Sequence, residues 1–305
     1  MAYTNIDDPS AYFHTQLYTG TGANQDIVNN AHSGDFKPDL LWVKNRGNGS
    51  YDSQLFDSTR GLNKVLHLGS QYATAAEETG GTSGVQTFNT NGFRGGSSSN
   101  IYQILWVNGL NNTYVAWQWK VNGGTTTSVS ASGTGANCVN ASTHQVNQDA
   151  GLSIITYTGR ADQITVHETT NLTHGLGVTP DFTIMKKRDG TSDWMVMGQN
   201  VTASSAYSAN EHLHLNTADA ISDSEYTGYY APTSTHIRLG DALVNDTGDD
   251  YVCYAFAEKQ GYSKFGSYKG NGSGTSDGTF DGAFVYLGFK PAWVLIKRSS
   301  YSAGD

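Results

Sequence analysis

Short runs of apolar residues, separated by polar and glycine-rich stretches, recur along the chain. Residues 40–43 (Leu-Leu-Trp-Val) and 293–296 (Trp-Val-Leu-Ile) are continuous apolar runs, and Trp117 and Trp119 fall on one face of a strand. Runs of this length predict strands that are buried on both faces or lie in a sandwich core. No stretch of a dozen residues has apolar positions at helical spacing. The pattern therefore predicts an all-β chain.

Turn signals separate these runs at short, regular intervals. They contain Gly, alone or beside Asn or Asp, at residues 20–22, 48–49, 91–92, 122–124, 189–190 and 271–272. Glycine and asparagine tolerate the positive φ that tight turns need, and short strands with frequent turns are typical of antiparallel sandwiches. We therefore predict tandem antiparallel β-sandwiches that resemble jelly rolls.

One part of the pattern occurs three times. Residues 36–46, 178–188 and 289–298 each carry a proline, a short apolar run and a lysine, and a Tyr-x-Gly precedes each copy. The three Tyr-x-Gly sequences are at residues 18–20, 157–159 and 268–270. Leu-His-Leu and Tyr-Val sequences follow the first and second copies in the same order. The chain is therefore predicted to be an array of one module, which more often presents surface than builds a deep catalytic pocket.

The spacing of the copies predicts the domain organisation. The period exceeds about a hundred residues, which is the size of a domain and not of a solenoid unit. The predicted parts are an N-terminal arm (1–11), a first sandwich (12–122), a linker with an entry strand (123–150), a second sandwich (151–260) and the start of a third repeat (261–305). We interpret the incomplete third repeat as a sign that the chain is cut from a longer polypeptide.

Composition and charge exclude several classes of protein. The net charge is −9 and no basic cluster exceeds two adjacent residues, so no nucleic-acid partner is predicted. No apolar run approaches the length of a membrane span, and the N-terminus lacks the basic and apolar regions of a signal peptide. The two cysteines, Cys138 in the linker and Cys253 in a predicted strand, are interpreted as free thiols.

Histidines offer the first candidate chemistry. His212 and His214 are two residues apart in a predicted strand, a spacing that allows two imidazoles to share a metal. His214, however, matches His67 in the first repeat, where no second histidine stands, so a half-buried strand histidine is the simpler interpretation. His167 and His174, with Glu168 nearby, form a second candidate with no predictable third ligand. The sequence therefore predicts no metal site.

Carboxylates offer the second candidate chemistry. The acidic residues Asp35, Asp39, Asp52 and Asp57 lie near aromatic residues, as in the subsites of glycosidases, but no facing pair can be identified. Asp39 recurs as Asp181, and a turn residue that follows proline is the simpler interpretation. Residues 246–250 (Asp-Thr-Gly-Asp-Asp) carry oxygen ligands for Ca²⁺ but lack the spacing of a calcium loop, which favours a solvated hairpin loop.

A basic pair ends every copy of the apolar strand. The lysines are Lys44, Lys186 and Lys297, and the arginines are Arg46, Arg188 and Arg298. One hypothesis is an anion or sugar contact repeated along the array; the simpler one is a strand-end charge that solvates the rim of the sandwich. No catalytic residue, metal ligand or cofactor is predicted, and the sequence does not define ligand-binding residues.

These motifs also resemble a family. Tyr-Thr-Gly followed by Pro-Asp and an apolar run to Lys, with residues 55–61 (Leu-Phe-Asp-Ser-Thr-Arg-Gly), 113–119, 254–259 and 261–272, is similar to a repeated, functionally uncharacterised domain of tailed-phage virion proteins. Such proteins are common in phages of marine bacteria, including cyanobacteria. The resemblance covers almost the whole chain and implies further copies downstream. It implies no catalytic residues.

The resemblance implies a virion structural protein that is assembled in the host cytoplasm and exposed on the particle surface. The leading hypothesis is a tail fibre or other tail appendage contributing to attachment to host glycan or protein, with this part as the virion-proximal shaft. A capsid decoration protein and a glycan hydrolase are the alternatives. The arm over residues 1–11 is expected to dock to the tail or baseplate and to order only against that partner. The resemblance also implies self-association, with a homotrimer as the expected assembly.

Overall fold

The computed structural model describes residues 6–29, 36–69, 76–79, 81–97, 106–133, 138–160, 170–198, 211–223, 229–240, 242–271 and 282–300. Its regular structure is almost entirely β, in antiparallel sheets, and the predicted all-β class with β-sandwich modules is confirmed. In the residues that the structure describes, the helical elements are two single 3-10 turns, Pro9–Ala11 and Ala242–Val244. Within the described ranges, no helix has the length and apolar character to span a membrane.

Residues 12–122, called module one below, form one large and one small sheet. Its strands are β1 (Phe13–Thr19), β2 (Gln25–Val28), β3 (Leu40–Asn45), β4 (Ser53–Asp57), β5 (Lys64–Leu68), β6 (Glu78–Thr79), β7 (Val85–Asn89), β8 (Gly92–Gly95) and β9 (Thr113–Trp119). The six-stranded sheet has the order β1-β9-β3-β4-β5-β6, and the three-stranded sheet has the order β2-β8-β7.

Residues 151–260, called module two, repeat this arrangement. The strands from residue 127 onward are β10 (Thr127–Val129), β11 (Ser142–Asn147), β12 (Leu152–Thr158), β13 (Thr170–Thr173), β14 (Phe182–Lys187), β15 (Met195–Gly198), β16 (Glu211–His214), β17 (Ser222–Asp223), β18 (Tyr229–Tyr230), β19 (His236–Leu239) and β20 (Asp250–Phe256). The large sheet has the order β10-β11-β12-β20-β14-β15-β16-β17 and the small one β13-β19-β18. Apart from β10 and β11, which come from the predicted linker, each strand has a counterpart in module one.

The two large sheets pack face to face, so the modules share a core. Alternate residues of one strand point to opposite faces. Leu40 and Trp42 of β3 therefore join the shared core with module two, while Leu41 and Val43 pack toward the small sheet of module one. The result is four layers, in the order small sheet, large sheet, large sheet, small sheet. Burial of both faces explains why the predicted strand reads as a continuous apolar run.

The third copy of the repeated motif does not form the strand that the apolar run predicts. Residues 293–296 have no strand assignment, and Ile296 is 65% exposed. Only Trp293 packs inward, with its ring 5.7 Å from that of Trp42 and 5.5 Å from that of Trp119. In the complete modules the equivalent strand lies between two others, and a strand without such neighbours cannot complete its backbone hydrogen bonds.

The N-terminal segment also differs in part from the expectation. Ile6 is buried against the body of the protein, and the Asp8 side chain accepts a hydrogen bond of 3.0 Å from the Ser10 backbone N–H. Residues 6–11 are therefore positioned by contacts within the chain, although they were expected to order only against a partner. Residues 1–5 of the predicted arm lie outside the described part of the chain.

Candidate functional site

The tyrosine of each Tyr-x-Gly has the same buried environment in both modules. Tyr18 stacks on Tyr114 across β1 and β9, with ring centroids 5.1 Å apart, and Tyr157 stacks on Tyr251 at 5.2 Å. The Tyr18 hydroxyl donates to the Val107 carbonyl at 2.7 Å, and Tyr157 donates to the equivalent carbonyl at 2.6 Å. Burial raises the pKa of both hydroxyls well above the usual range, so both stay protonated donors.

The glycine and a buried asparagine complete this motif. A Cβ at Gly20 would lie 2.3 Å from the Gly109 carbonyl oxygen, and a Cβ at Gly159 would lie 2.0 Å from that of Asp246. The Asn108 side chain holds this turn in module one: it accepts from the Thr21 backbone N–H and donates to the Gly96 carbonyl. The Asn245 side chain does the same in module two, where it accepts from the Arg160 N–H and donates to the Gly240 carbonyl. The Tyr-x-Gly motif therefore fixes the loop that enters the last strand of the module and is not a ligand site.

The aspartate after the repeated proline holds the chain that leaves the last strand. Asp39 accepts hydrogen bonds from the Val121 and Gly123 backbone N–H groups at 2.7 and 2.9 Å, and Asp181 accepts one from Glu258 at 2.8 Å. Burial raises the pKa of Asp181 above its usual value. The interpretation of this residue as a structural turn residue agrees with these contacts.

The lysine at the end of the apolar strand neither solvates the rim nor reaches an external anion. Lys186 is 1% exposed, and its Nζ donates to the carbonyl and hydroxyl oxygens of Ser192 at 2.7 and 3.2 Å. Lys44 donates to the Tyr51 carbonyl across the corresponding hairpin. Lys297 donates to the Thr217 carbonyl at 2.7 Å. For the lysines the rim interpretation is therefore wrong, because each side chain turns back to a carbonyl of the chain, whereas Arg46 and Arg298 are exposed.

A loop on module one carries the densest polar contacts between the modules. This interface loop comprises residues 57–60 (Asp-Ser-Thr-Arg) and follows β4. Asp57 accepts from the Arg60 Nε at 2.5 Å and from the Tyr254 hydroxyl of module two at 2.8 Å. The Gln145 side chain of β11 donates to both hydroxyls of the loop, Ser58 at 2.9 Å and Thr59 at 3.0 Å. The loop therefore contacts two different strands, β11 and β20, of the second large sheet.

The buried charged side chains of this interface form ion pairs with one another. The Arg60 guanidinium is fully buried and contacts Glu77 at 2.8 Å, and Glu77 in turn contacts Arg188 of module two at 3.0 Å. Burial acts to raise the pKa of Glu77, but the hydrogen bond from Arg188 and the charge of Arg60 outweigh it and lower that pKa. Glu77 is therefore ionised at neutral pH and links two cations from different modules.

The hydrolase candidates do not form a catalytic pair in the described part of the chain. Asp39 and Asp57 are fully buried and engaged as above, and Asp52 is buried as well. Asp35 lies outside the described residues. The acidic loop after the second 3-10 turn is exposed to solvent at Asp246 and Asp250, while Asp249 pairs with Lys187. No cleft holds two facing carboxylates among these groups.

The histidines are similarly engaged. The His212 and His214 rings are 5.1 Å apart, but the described residues contain no group of three or more His, Cys, Asp or Glu that could hold a metal. His174 accepts from the Leu176 N–H through Nδ1 and contacts the Thr233 carbonyl through Nε2; burial lowers its pKa to about 4. His167 and Glu168 lie outside the described residues. Both cysteines are buried free thiols.

Two shallow surface depressions in the described part of the chain are places where a ligand could lie. One, of about 440 Å³, lies between residues 215–218 and 295–298 and is mostly apolar. The other, of about 380 Å³, crosses β10, β11 and β12 and is lined by hydroxyl side chains. In it Ser128, Thr143 and Thr156 stand in register on three adjacent strands. Such a surface can hydrogen-bond a polyhydroxyl ligand, and it also contains Arg188 and the Asp250 carboxylate, which accepts from the Thr158 hydroxyl at 2.8 Å.

No pattern in the sequence indicates the role of the interface loop. In the sequence Asp57 is only a candidate for a carboxylate pair, and residues 55–61 are only part of a family motif. The available signal was the sequence Asp-Ser-Thr-Arg-Gly directly after an apolar strand. Its partners, Glu77, Gln145 and Tyr254, lie 17 to 197 positions away along the chain, so no local pattern could identify them.

Comparisons with known proteins leave the activity open. No curated protein and no solved structure matched the chain. A family model matches residues 8–304, and that match spans both modules, the linker between them and most of the third copy. The chain belongs to the family described as "Domain of unknown function (DUF7483)".

Proposed function

We propose that this protein is a structural component of a tailed-phage virion, a tail fibre or other tail appendage, and that this part is a rigid, virion-proximal element. The observation that carries the proposal is the use of the duplicated polar residues. The tyrosine, asparagine, aspartate and lysine kept by both modules all bond to the chain's own loops. Duplication has preserved a scaffold, which is what a repeated load-transmitting element needs.

The packing between the modules supports rigidity. A flexible array would join its modules by a linker with few contacts. Here the large sheets share one apolar core, and Trp194 of module two is fully buried and donates its indole N–H to the His67 carbonyl at 2.8 Å. The buried ion pairs of the interface loop further fix the orientation of one module against the other. A two-module block of this kind transmits force without bending at the junction.

The phage assignment rests on the resemblance of the repeated motifs to virion proteins, and host attachment rests on that assignment. The hydroxyl-lined depression over β10–β12 has side chains that can hydrogen-bond a host glycan, and this supports a role in attachment. Weak contacts become effective when many copies act together, because avidity multiplies modest affinities.

Immunogold electron microscopy tests the assignment directly. Antibodies raised against the purified protein should label the tails of the phage particles encoded by the genome that carries this sequence. Label on the capsid shell would instead identify a decoration protein, and absence of label from intact and partly disrupted particles would overturn the virion assignment. Release of reducing sugar from host polysaccharide by the purified protein would favour the hydrolase alternative.

Attachment requires its own measurement. Pre-incubation of host cells with an excess of purified protein should slow phage adsorption if this part of the chain contacts the receptor. Unchanged adsorption, together with tail labelling, would retain the structural role and remove the contact with the host from these modules.

A further inference from the structure

The two large sheets have four edges, and these edges differ in length. At three of them the outermost strand is very short: β6 and β17 have two residues each and β10 has three. The fourth edge is β1, with seven residues in unbroken register with β9. Short edge strands are a common protection against unwanted strand pairing, so among the described residues β1 is the edge that stands open.

The side chains of β1 offer no other protection. Its sequence, Phe-His-Thr-Gln-Leu-Tyr-Thr, contains no lysine, no carboxylate and no proline, and its pairing with β9 has no bulge. Charges, prolines and bulges are the devices that proteins place on exposed edges. Leu17 on this strand is 55% exposed. An uncharged, regular strand of this length is suited to pairing.

Module two shows what covers the equivalent edge. Its strand β12 corresponds to β1, with Tyr157 in the place of Tyr18, and β11 pairs with it over six residues. Module one has no counterpart of β11 in the described part of the chain. The same fold therefore occurs once with this edge covered and once with it open.

The backbone geometry defines which groups of β1 are available. Gly20 donates to the Asn112 carbonyl and the Tyr12 carbonyl accepts from Lys120, so the even-numbered residues of β1 bond to β9. In an antiparallel ladder the odd-numbered residues then point their N–H and C=O groups to the other side. At that side two carbonyls accept from glutamine side chains, Leu17 from Gln16 and Thr19 from Gln25. These are exposed side-chain bonds that an added strand can replace.

We propose that β1 is a self-association surface, and that it pairs antiparallel with β1 of a second copy of this chain. A two-fold axis at Gln16 places Phe13 opposite Thr19 of the second copy and Thr15 opposite Leu17 of the second copy. All four are odd-numbered residues, so every outward backbone group in the strand finds a partner. The absence of charge means that the strand meets itself without repulsion, and each exposed Leu17 gains cover from its neighbour.

This pairing is isologous, so it closes at two copies and joins two six-stranded sheets into one. It therefore differs from the homotrimer that the family resemblance implies. The inference does not depend on the virion assignment, because it uses only the edges of the sheets. It also leaves the hydroxyl-lined depression of module two free.

Mass and mutation test the surface. Light scattering of the purified protein over the micromolar range should give twice the chain mass of 32.8 kDa at high concentration, falling toward the monomer on dilution. Leu17→Lys places a charge on the edge and should reduce the association constant at least tenfold. Leu62→Lys, at a leucine that is 49% exposed in a loop, is the matched control and should leave it unchanged. Circular dichroism confirms that both variants are folded.

Cross-linking tests the register. Gln16→Cys should form an interchain disulfide under mild oxidation, because directly opposed residues of a non-hydrogen-bonded pair have Cα atoms about 4.5 Å apart. Thr19→Cys on the same strand should form no interchain disulfide, because the two copies of that residue would lie roughly 20 Å apart. The native cysteines are buried and give little background. A monomer at every concentration, a trimeric mass, or association that Leu17→Lys leaves intact would overturn the proposal. So would cross-linking that is equal at both positions.

Discussion

Module one and module two keep the same nine-strand plan but differ where each one meets its surroundings. The stacked tyrosine pair, the close-packed glycine and the buried asparagine make equivalent contacts in the two modules. At the boundaries the modules diverge: β11 and β10 cover the edge of module two, and the interface loop belongs to module one. Duplication has thus retained the contacts that close a module on itself and has replaced those that join it to a neighbour.

The largest expected effect concerns the junction, where the modules are not equivalent. Arg60→Met removes a guanidinium that lies between Asp57 and Glu77; it leaves the buried Asp57 carboxylate without its cation and removes one of the cations that contact Glu77. Loss of one partner from a buried ion pair costs about 3–5 kcal/mol, and we expect that decrease in the free energy of unfolding by urea. The shared core should make the loss appear in a single transition of both modules.

Arg188→Met is the matched variant on module two. Its side chain is one-fifth exposed and pairs with Glu77, which Arg60 also contacts, so we expect a smaller loss. Equal losses from the two variants would show that the interface loop has no special place in the junction. Two separate transitions in the wild-type protein would show that the modules unfold independently, against the shared core.

The next effect tests the equivalence of the modules. Gly20→Ala and Gly159→Ala each force a methyl group against a backbone carbonyl oxygen at 2.3 or 2.0 Å. Overpacking against backbone typically costs about 1–3 kcal/mol, and similar losses in thermal or urea unfolding are expected at both positions. Gly49→Ala is the control, because no atom lies within 4 Å of its added Cβ. A neutral result at either Gly20 or Gly159 would break the equivalence of the two turns.

A smaller effect is expected from the tyrosine hydroxyls. Tyr18→Phe and Tyr157→Phe keep the stacked ring but remove the donor to a buried loop carbonyl. We expect each to lower the free energy of unfolding by about 1–2 kcal/mol. Tyr286→Phe, at a tyrosine that is 80% exposed, serves as the control and should change nothing. A loss in one module alone would show that the hydroxyl has a structural role in only one copy.

The sequence identified much of this fold and little of its junction. The all-β class and the apolar strand at residues 40–43 followed from local alternation and turn signals, which act over a few residues. The apolar run at residues 293–296 was wrongly predicted to be a strand. A strand forms only where neighbouring strands accept and donate its backbone hydrogen bonds, and the sequence of the run does not specify those neighbours. The interface loop joins Asp57 to Tyr254 across the whole molecule, and Lys186 was misread because its burial depends on a hairpin that packs over it. Long-range contacts of this kind leave no periodic signal.

The effect that is smallest at neutral pH concerns the strand-end lysines Lys186 and Lys44, and it depends on pH. Lys186 is buried, whereas Lys44 is half-buried, and burial lowers the pKa of Lys186 to about 8 from an ordinary value of 10.5. Between those values the unfolded chain holds a proton that the folded chain has released, so stability should rise as the pH increases through this window. Below about pH 8 both states are protonated and this contribution is lost.

Lys186→Met measures that contribution. At pH 7 the variant should differ from the wild type by no more than about 1 kcal/mol, because an apolar side chain of similar volume replaces a charge that is costly to bury. From pH 8 to 10 the wild type should gain stability relative to the variant, because only the wild type has the lysine that titrates. Lys44→Met, measured alongside by urea unfolding, shows whether the pH dependence belongs to module two alone. A difference between wild type and Lys186→Met that stays constant with pH would mean that the Lys186 ammonium keeps its proton in the fold, and that the hydrogen bonds to Ser192 compensate fully for its burial.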